Sequence, residues 1–443
     1  MTKRPNIITI LCDDLGWGDL GCYGHTLIKT PNIDRLAAQG TLFTHFYSAS
    51  PVCSPSRAAF MTGQFPARLR IHDYLPIPLQ PHQIAAGTVP FLDPAAATVP
   101  RTLKQAGYAT GHFGKWHLGD GPDAPEVKDY GIDCCRITHG RGPTYDSWWS
   151  DASFRARSSA MFVDDAIEFI EHNGDTPFQI DLWPLDPHAT LNPTPEQMAP
   201  YAHLMPQGVP HAGAMAVYYS VVTNLDAQIG RLLARLDDLG LADNTLVLFS
   251  SDNGPEDICI PGSSHSAAGD TPFRGRKRSL YDGGVRMPLI ARWPGFVPAG
   301  KVNDTSVVSS VDFLPTLCGI AGISADSGQV VDGENVMDIL SGSGRQRTKP
   351  LYWDWRFRQA GSLIHHSPQL AIREDKWKLL MNRDGSRVEL YDVSGNRMEV
   401  DNLADQEPEV VRRLSQMLLE WHATLPAGKA MEGSGIALYD WPR

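Results

Sequence analysis

The chain has 443 residues, of which 42% are hydrophobic, 20% charged and 9% aromatic. That globular profile excludes disordered, fibrous and coiled-coil architectures and suits one large domain with a smaller one beside it. A net charge of −11, from 39 Lys and Arg against 50 Asp and Glu, speaks against a broad basic face for nucleic acid or an anionic membrane. At first sight it also speaks against an anionic substrate.

The chain starts Met1-Thr2-Lys3-Arg4-Pro5, a basic opening, but the apolar stretch Ile7-Ile8-Thr9-Ile10-Leu11 is too short for a signal-peptide core and Asp13-Asp14 closes it. No segment approaches the run of about 18 apolar residues that a membrane helix needs. The expectation is a cytoplasmic protein without membrane contact, or a periplasmic or secreted one if a signal was removed. Short β-rich runs are expected at Asn6–Cys12, 108–113, Phe178–Trp183, Thr245–Ser251 and 288–292, with amphipathic stretches between them. This alternation predicts an α/β fold, a large and mainly parallel sheet flanked by helices.

Thr98-Val99-Pro100 opens one helix and Gly107 closes it. Phe162, Val163, Ala166, Ile167, Phe169 and Ile170 stripe a second, ended by Asn173-Gly174. The longest spans 214–239, with Val217, Val221, Leu225, Ile229, Leu232, Leu233 and Leu236 on one face. Long Pro- and Gly-rich connections over 70–100 and 122–149 read as walls of a site. From about Pro350 three short antiparallel strands are expected, at 370–373, Trp377–Met381 and 388–392, followed by a helix striped by Val410, Val411, Leu414, Met417, Leu418 and Trp421. The domains are thus expected at 1–349 and 350–443, the second a small α+β unit. Seven cysteines, with Cys134 and Cys135 adjacent, form no disulfide framework.

Chemistry concentrates at the ends of the expected strands. Cys53-Ser54-Pro55-Ser56-Arg57 opens a helix, since Pro55 suits a first turn and Gly63 a C-cap. Cys53 then sits at a helix N-terminus, which favours negative charge. Arg57, four residues on, can neutralise an anion beside it. A buried thiol beside a surface arginine is the plain alternative. Asp13-Asp14 and Asp252-Asn253 end two further strands. In an open parallel sheet such ends share one edge, where ligand sites form. Three carboxylates and an amide oxygen suit a hard divalent cation, calcium or magnesium. His25 and His45 are too scattered for zinc. Lys115, His117, His188 and Lys277 lie at or after other strand ends and bring basic groups to the same edge, machinery for an oxyanion held by metal and cations.

On these residues the sequence resembles the formylglycine-dependent sulfatases of the alkaline-phosphatase superfamily, from Asn6 to about Trp377. Cys53-x-Pro55-x-Arg57 matches the maturation signature. The resemblance implies an alkaline-phosphatase-like fold and a Cys53 oxidised to formylglycine by a formylglycine-generating maturation enzyme. It further implies a cation, calcium with magnesium possible, held by Asp13, Asp14, Asp252, Asn253 and an oxygen of residue 53. Arg57, Lys115, His117, His188 and Lys277 match the remaining active-site positions, although Arg276 stands where many members carry a small residue. The implied reaction is attack of the aldehyde hydrate on sulfur, with His188 as general acid and Lys277 nearby. His117 then takes the proton of the second hydroxyl and sulfate leaves.

A phosphonate monoester or phosphodiester hydrolase on the same scaffold, and a non-catalytic sulfate-ligand binder, are the alternatives. The expected substrate is a small-molecule or oligosaccharide sulfate ester, a carbohydrate sulfate cut from a chain end. Loops near His139-Gly140-Arg141, 261–270 with His265, and Trp353-Asp354-Trp355 are candidate pocket walls. Among them Arg141, His265 and Trp355 are the substrate-binding candidates.

Overall fold

The computed structural model describes residues 4–145, 151–205, 213–257, 264–325, 328–394 and 398–437. Residues 1–3 of the basic start, Trp149 at the end of the second long connection and Pro261 at the start of the His265 loop lie outside them.

Nine strands make the main sheet: β1 Asn6–Cys12, β2 Thr41–Tyr47, β3 Ala109–Lys115, β4 Cys134–Thr138, β5 Phe178–Trp183, β6 Thr245–Ser251, β7 Arg286–Arg292, β8 Lys301–Asn303 and β9 Val308–Ser309. Their order is β4-β3-β5-β1-β6-β7-β2-β8, with β9 also on β2. The run from β4 to β6 is parallel, and β7 lies antiparallel to both β6 and β2. Along β1, Ile8, Ile10 and Cys12 enter one hydrophobic cluster while Ile7 and Leu11 enter the other. This is the alternation of a strand whose sheet is covered on both faces. The helices Ala152–His172 and Ala214–Asp238 cover the first face through residues such as Phe162, Ile170, Leu225 and Ile229. Cys53–Thr62, Val99–Gln105 and Phe313–Ile320 cover the second through Phe60, Met61, Leu103 and Leu317. The helix expected after Thr98 is capped by that side chain, which accepts from the Arg101 amide.

Two strands outrun their expected limits. The one expected at 108–113 starts a residue later and continues through Lys115. Gly114 within it is a glycine because a Cβ would stand 2.1 Å from the Trp183 carbonyl oxygen. The strand expected to begin at Pro288 begins at Arg286. Its partner β2 changes register between Phe43 and Phe46, opposite Leu289 and Met287, so the ladder accommodates the amide that Pro288 lacks.

Beyond Pro350 the described residues form four antiparallel strands rather than three: β10 Leu351–Asp354, β11 Leu370–Glu374, β12 Trp377–Met381 and β13 Glu389–Asp392. The helix Pro408–Ala423 packs on them through Leu414, Leu418 and Trp421. Trp353 and Trp355 are core here, in one cluster with Tyr47 at the end of β2 and with Val52, Leu280 and Val285. The Trp353 indole donates to the Ser48 carbonyl at 2.8 Å. A buried ion cluster also joins the two sheets, with Lys378 between Asp282 at 2.7 Å and Glu399 at 2.9 Å. No helix among the described residues is long and apolar enough to cross a membrane.

Candidate active site

The carboxyl ends of β1, β3, β5 and β6 point to one edge of the sheet, and the helix Cys53–Thr62 starts there. Asp13 and Asp14 leave β1, Asp252 and Asn253 leave β6, and Lys115 is the last residue of β3. The four polar residues from β1 and β6 are buried. Asp14 has φ 67, the left-handed turn that lets two successive carboxylates face one space. Cys53 is the first residue of its helix, after Val52 in an extended conformation, and its thiol donates to Asp13 Oδ1 at 3.3 Å. That sulfur occupies the place of an oxygen when residue 53 is an aldehyde hydrate.

Cations interleave with the carboxylates. Lys115 Nζ donates to Asp13 Oδ2 at 2.6 Å, and Lys277 Nζ donates to Asp14 Oδ2 at 2.7 Å. Arg57 holds Asp252 Oδ2 through Nε and Nη2 at 2.9 and 2.7 Å, and the Lys115 carbonyl through Nη1 at 3.1 Å. Burial raises the Asp13 carboxyl, but Lys115, His188, Arg57 and Lys277 together outweigh it and hold that group well below the carboxylate range. Burial wins at Asp252, raised to about 6 against the pull of Arg57. At Cys53 burial and then Asp13 push the thiol up, so it stays protonated and is a poor nucleophile as a thiol.

His188 sits 3.7 Å from Asp14 through Nε2, and its Nδ1 donates to the Ala189 carbonyl at 2.5 Å. His117 has φ 56 and packs against the His139 ring, 5.1 Å between centroids. Its buried Nδ1 has no hydrogen-bond partner among the described residues. Burial and then Lys277 lower the His188 imidazole, and burial and then Lys115 lower that of His117. Both rings are therefore neutral near pH 7. Arg155, on the helix Ala152–His172, braces the loop by donating to the carbonyls of Leu185 and His188.

The donor set fits a hard cation. Ligand atoms of Asp13, Asp14, Cys53 and His188 lie within 4.8 Å of one another. Asn253 donates through Nδ2 to Asp14 Oδ1 at 2.7 Å and to the Gly254 carbonyl at 2.9 Å. This fixes the amide, and its buried Oδ1 is left without a partner among the described residues. A buried carbonyl oxygen without a donor is costly, and a cation beside three carboxylates removes that cost. Protein stripped of divalent ions and then titrated with calcium or magnesium should gain about 2.7 kcal/mol of stability at a hundredfold excess over Kd. Thermal melts read this directly, and a Tm indifferent to both ions would contradict the fit.

A cavity of about 400 Å³ opens over these groups, lined by Cys53, Lys115, His117, His139, His188 and Lys277 together with Val52, Tyr74, Leu75, Pro76, Ile77, Gly119, Asp120 and Arg278. None of the three substrate-binding candidates lines it. Trp355 is 2% exposed in the core between the sheets. Arg141 donates to the carbonyls of Pro122 and Ala124 and braces its own loop. His265 lies in the short turn Ser264–Ala268. Sequence reasoning stopped one residue short of Arg278, although the run Arg274-Gly275-Arg276-Lys277-Arg278 carries a signal. Nothing in the sequence marks Tyr74 or Arg155.

The chain belongs to the sulfatase family: the Sulfatase family model matches residues 5–323, and that of the N-sulphoglucosamine sulphohydrolase C-terminal region matches 274–424. Among curated relatives, the N-acetylgalactosamine-6-sulfatase of Homo sapiens is 34% identical over 403 residues, covering 85% of this chain and 73% of its own length. The N-acetylgalactosamine-6-O-sulfatase of Bacteroides thetaiotaomicron is 29% identical, covering 94% and 93%. The crystal structure of Ps i-CgsB in complex with k-i-k-neocarrahexaose superposes with a TM-score of 0.80 at 27% identity, covering 98% of this chain and 96% of that one. The protein is accordingly a hydrolase of sulfate esters with the alkaline-phosphatase-like fold.

Proposed function

We propose that the protein removes sulfate from a carbohydrate sulfate monoester at a chain end, with formylglycine at position 53 as nucleophile. The observation that carries this is Cys53 at a helix start, held against Asp13 at the floor of a cavity ringed by Lys115, Lys277, His117 and His188. Conversion of Cys53 requires a maturation enzyme, and the bound ion is calcium by family resemblance. The relatives named above, whose names specify sugar sulfates, support the substrate class.

When bound, the cation withdraws charge from the oxygens around sulfur and lowers the barrier to attack. Asp13, Asp14, Asp252 and Asn253 would hold it. Lys115 and Lys277 offer ammonium groups to the sulfate oxygens, and Arg57 keeps Asp252 ionised and in place. At the leaving-group side, the Nδ1–H of His188 is fixed on the Ala189 carbonyl, so Nε2 is the nitrogen that carries the transferable proton. Burial and then Lys277 disfavour the charged form of this ring, and a sulfate anion beside it favours its protonation. His117, a neutral imidazole with an unpartnered nitrogen, is suited to take a proton from residue 53 when sulfate is expelled.

His188→Ala should cut kcat for an alkyl sulfate such as a sugar sulfate by about 10³-fold, within the range of general acid catalysis. Aryl sulfates with acidic phenols need little protonation and should suffer far less. Equal losses across a leaving-group series would remove His188 from the acid role. Turnover of aryl phosphonates well above aryl sulfates would favour the phosphonate hydrolase alternative. A desulfation panel on defined oligosaccharides tests the substrate class, and cleavage of non-sugar esters alone would refute it.

A further inference from the structure

The cavity wall sorts its charges. Lys115 and Lys277 line it, whereas their partners Asp13 and Asp14 lie behind. Arg278 lines it too, and its counter-ion Glu256 is likewise behind. Among the described lining residues these three cations face one carboxylate, Asp120, which accepts from the Gly121 amide at 2.7 Å. Lys115 and Lys277 are the cations assigned above to the scissile sulfate. Arg278 is left over.

Its placement is enforced. Arg278 has φ 71, a left-handed backbone conformation that is strained for a non-glycine residue and persists only where the surroundings impose it. Three contacts impose it here. The Arg278 amide donates to the Pro51 carbonyl at 2.9 Å, its carbonyl accepts from Gln359 Nε2 at 2.6 Å, and Glu256 takes the guanidinium at 2.5 and 3.1 Å. Glu256 occupies two of the five N–H donors that a guanidinium carries. The side chain remains 22% exposed. Pro51 lies two residues before Cys53, so the loop that fixes Arg278 also borders the nucleophile. Beside it the cavity has an apolar lip, with Tyr74 42% and Ile77 56% exposed, a surface suited to the apolar face of a sugar ring.

We propose that Arg278 is a specificity-determining residue that reads a second anionic group, a carboxylate or another sulfate ester, on the sugar bearing the scissile ester. This rests on the carbohydrate sulfatase reading above. A guanidinium matches an oxyanion through paired N–H donors, and a fixed one discriminates because an uncharged substituent leaves those donors poorly satisfied. The scissile sulfate takes the lysines, the ring lies along Tyr74, and the second anion meets Arg278.

The test compares kcat/KM on a methyl hexoside monosulfate and on the same glycoside carrying a second sulfate, for the native enzyme, Arg278→Gln and Arg278→Lys. The native enzyme should prefer the disulfated ester. Arg278→Gln should reduce that preference by about 30-fold, the effect of losing a charged hydrogen-bond partner, chiefly through KM. Arg278→Lys should restore part of it. Equal losses on both esters would make Arg278 a brace for Glu256 and Lys277 and overturn the proposal, as would a native preference for the monosulfate. Cleavage of aryl sulfates but of neither glycoside would overturn the carbohydrate reading and this inference with it.

Discussion

Cys53→Ala should reduce kcat for sulfate ester hydrolysis by about 10⁴- to 10⁶-fold, the scale of removing a nucleophile that acts with its partners as a unit. The loss should fall on kcat, because Lys115, Lys277 and the cation site remain to bind the ester. Cys53 occupies the first turn of the helix Cys53–Thr62 at the sheet edge, in contact with Asp13, and no neighbouring hydroxyl or thiol has comparable access to the cavity among its described lining residues other than Tyr74. Cys53→Ser separates two halves of the reaction. A serine hydroxyl can take sulfate from the ester, releasing the alcohol, but it has no second hydroxyl whose deprotonation would expel the sulfate. One equivalent of alcohol followed by a stalled covalent sulfate ester is the expected result. Sustained turnover by either variant would show that another group attacks sulfur.

Lys378→Ala should destabilise the fold by about 3–5 kcal/mol, the effect of removing one partner from a buried ion cluster. Lys378 is fully buried between Asp282 and Glu399. Asp282 also accepts from the Tyr47 hydroxyl at 2.9 Å and pairs with Arg286 at 3.3 Å. The Glu399 carboxylate accepts from the Asp282 amide at 2.6 Å. This cluster ties the second sheet to the turn before β7, the segment that follows Lys277 and Arg278. Activity in the surviving folded fraction should therefore fall as well.

The sign with pH follows from Glu399. Burial raises its carboxyl to about 7 despite Lys378, so its contribution is present below the unfolded value near 4.5 and is lost as pH rises through 7. Without the lysine that loss steepens. Denaturant titrations should show a larger deficit at pH 8 than at pH 5. A deficit below about 1 kcal/mol at both would mean that the cluster is hydrated and contributes little.

The active-site edge was legible in the sequence because its chemistry sits at strand ends. Asn6–Cys12 and Thr245–Ser251 match the expected limits residue for residue, and they deliver Asp13-Asp14 and Asp252-Asn253 directly after the last paired residue. The net charge of −11 misled, since an average over the whole chain says nothing of Lys115 and Lys277 facing a cavity with their carboxylates behind them. The second sheet was half legible. Leu351–Asp354 is only four residues long, and Trp353 within it and Trp355 after it resemble pocket walls until the partner surface of Tyr47, Val52 and Val285 is known.

Roles set by loop geometry were not legible. Arg278 depends on a left-handed turn pinned by Pro51, Gln359 and Glu256. Arg141 turns back on its own loop through contacts that no local pattern announces.

The mechanism needs residue 53 to work as an aldehyde and not as a thiol. Mass spectrometry of the peptide containing Cys53, from protein made in a host with the maturation enzyme and assayed in parallel, tests it most directly. The sulfhydryl should be replaced by a carbonyl oxygen, with activity proportional to the converted fraction. Fully active protein whose residue 53 is still an unmodified cysteine would contradict it.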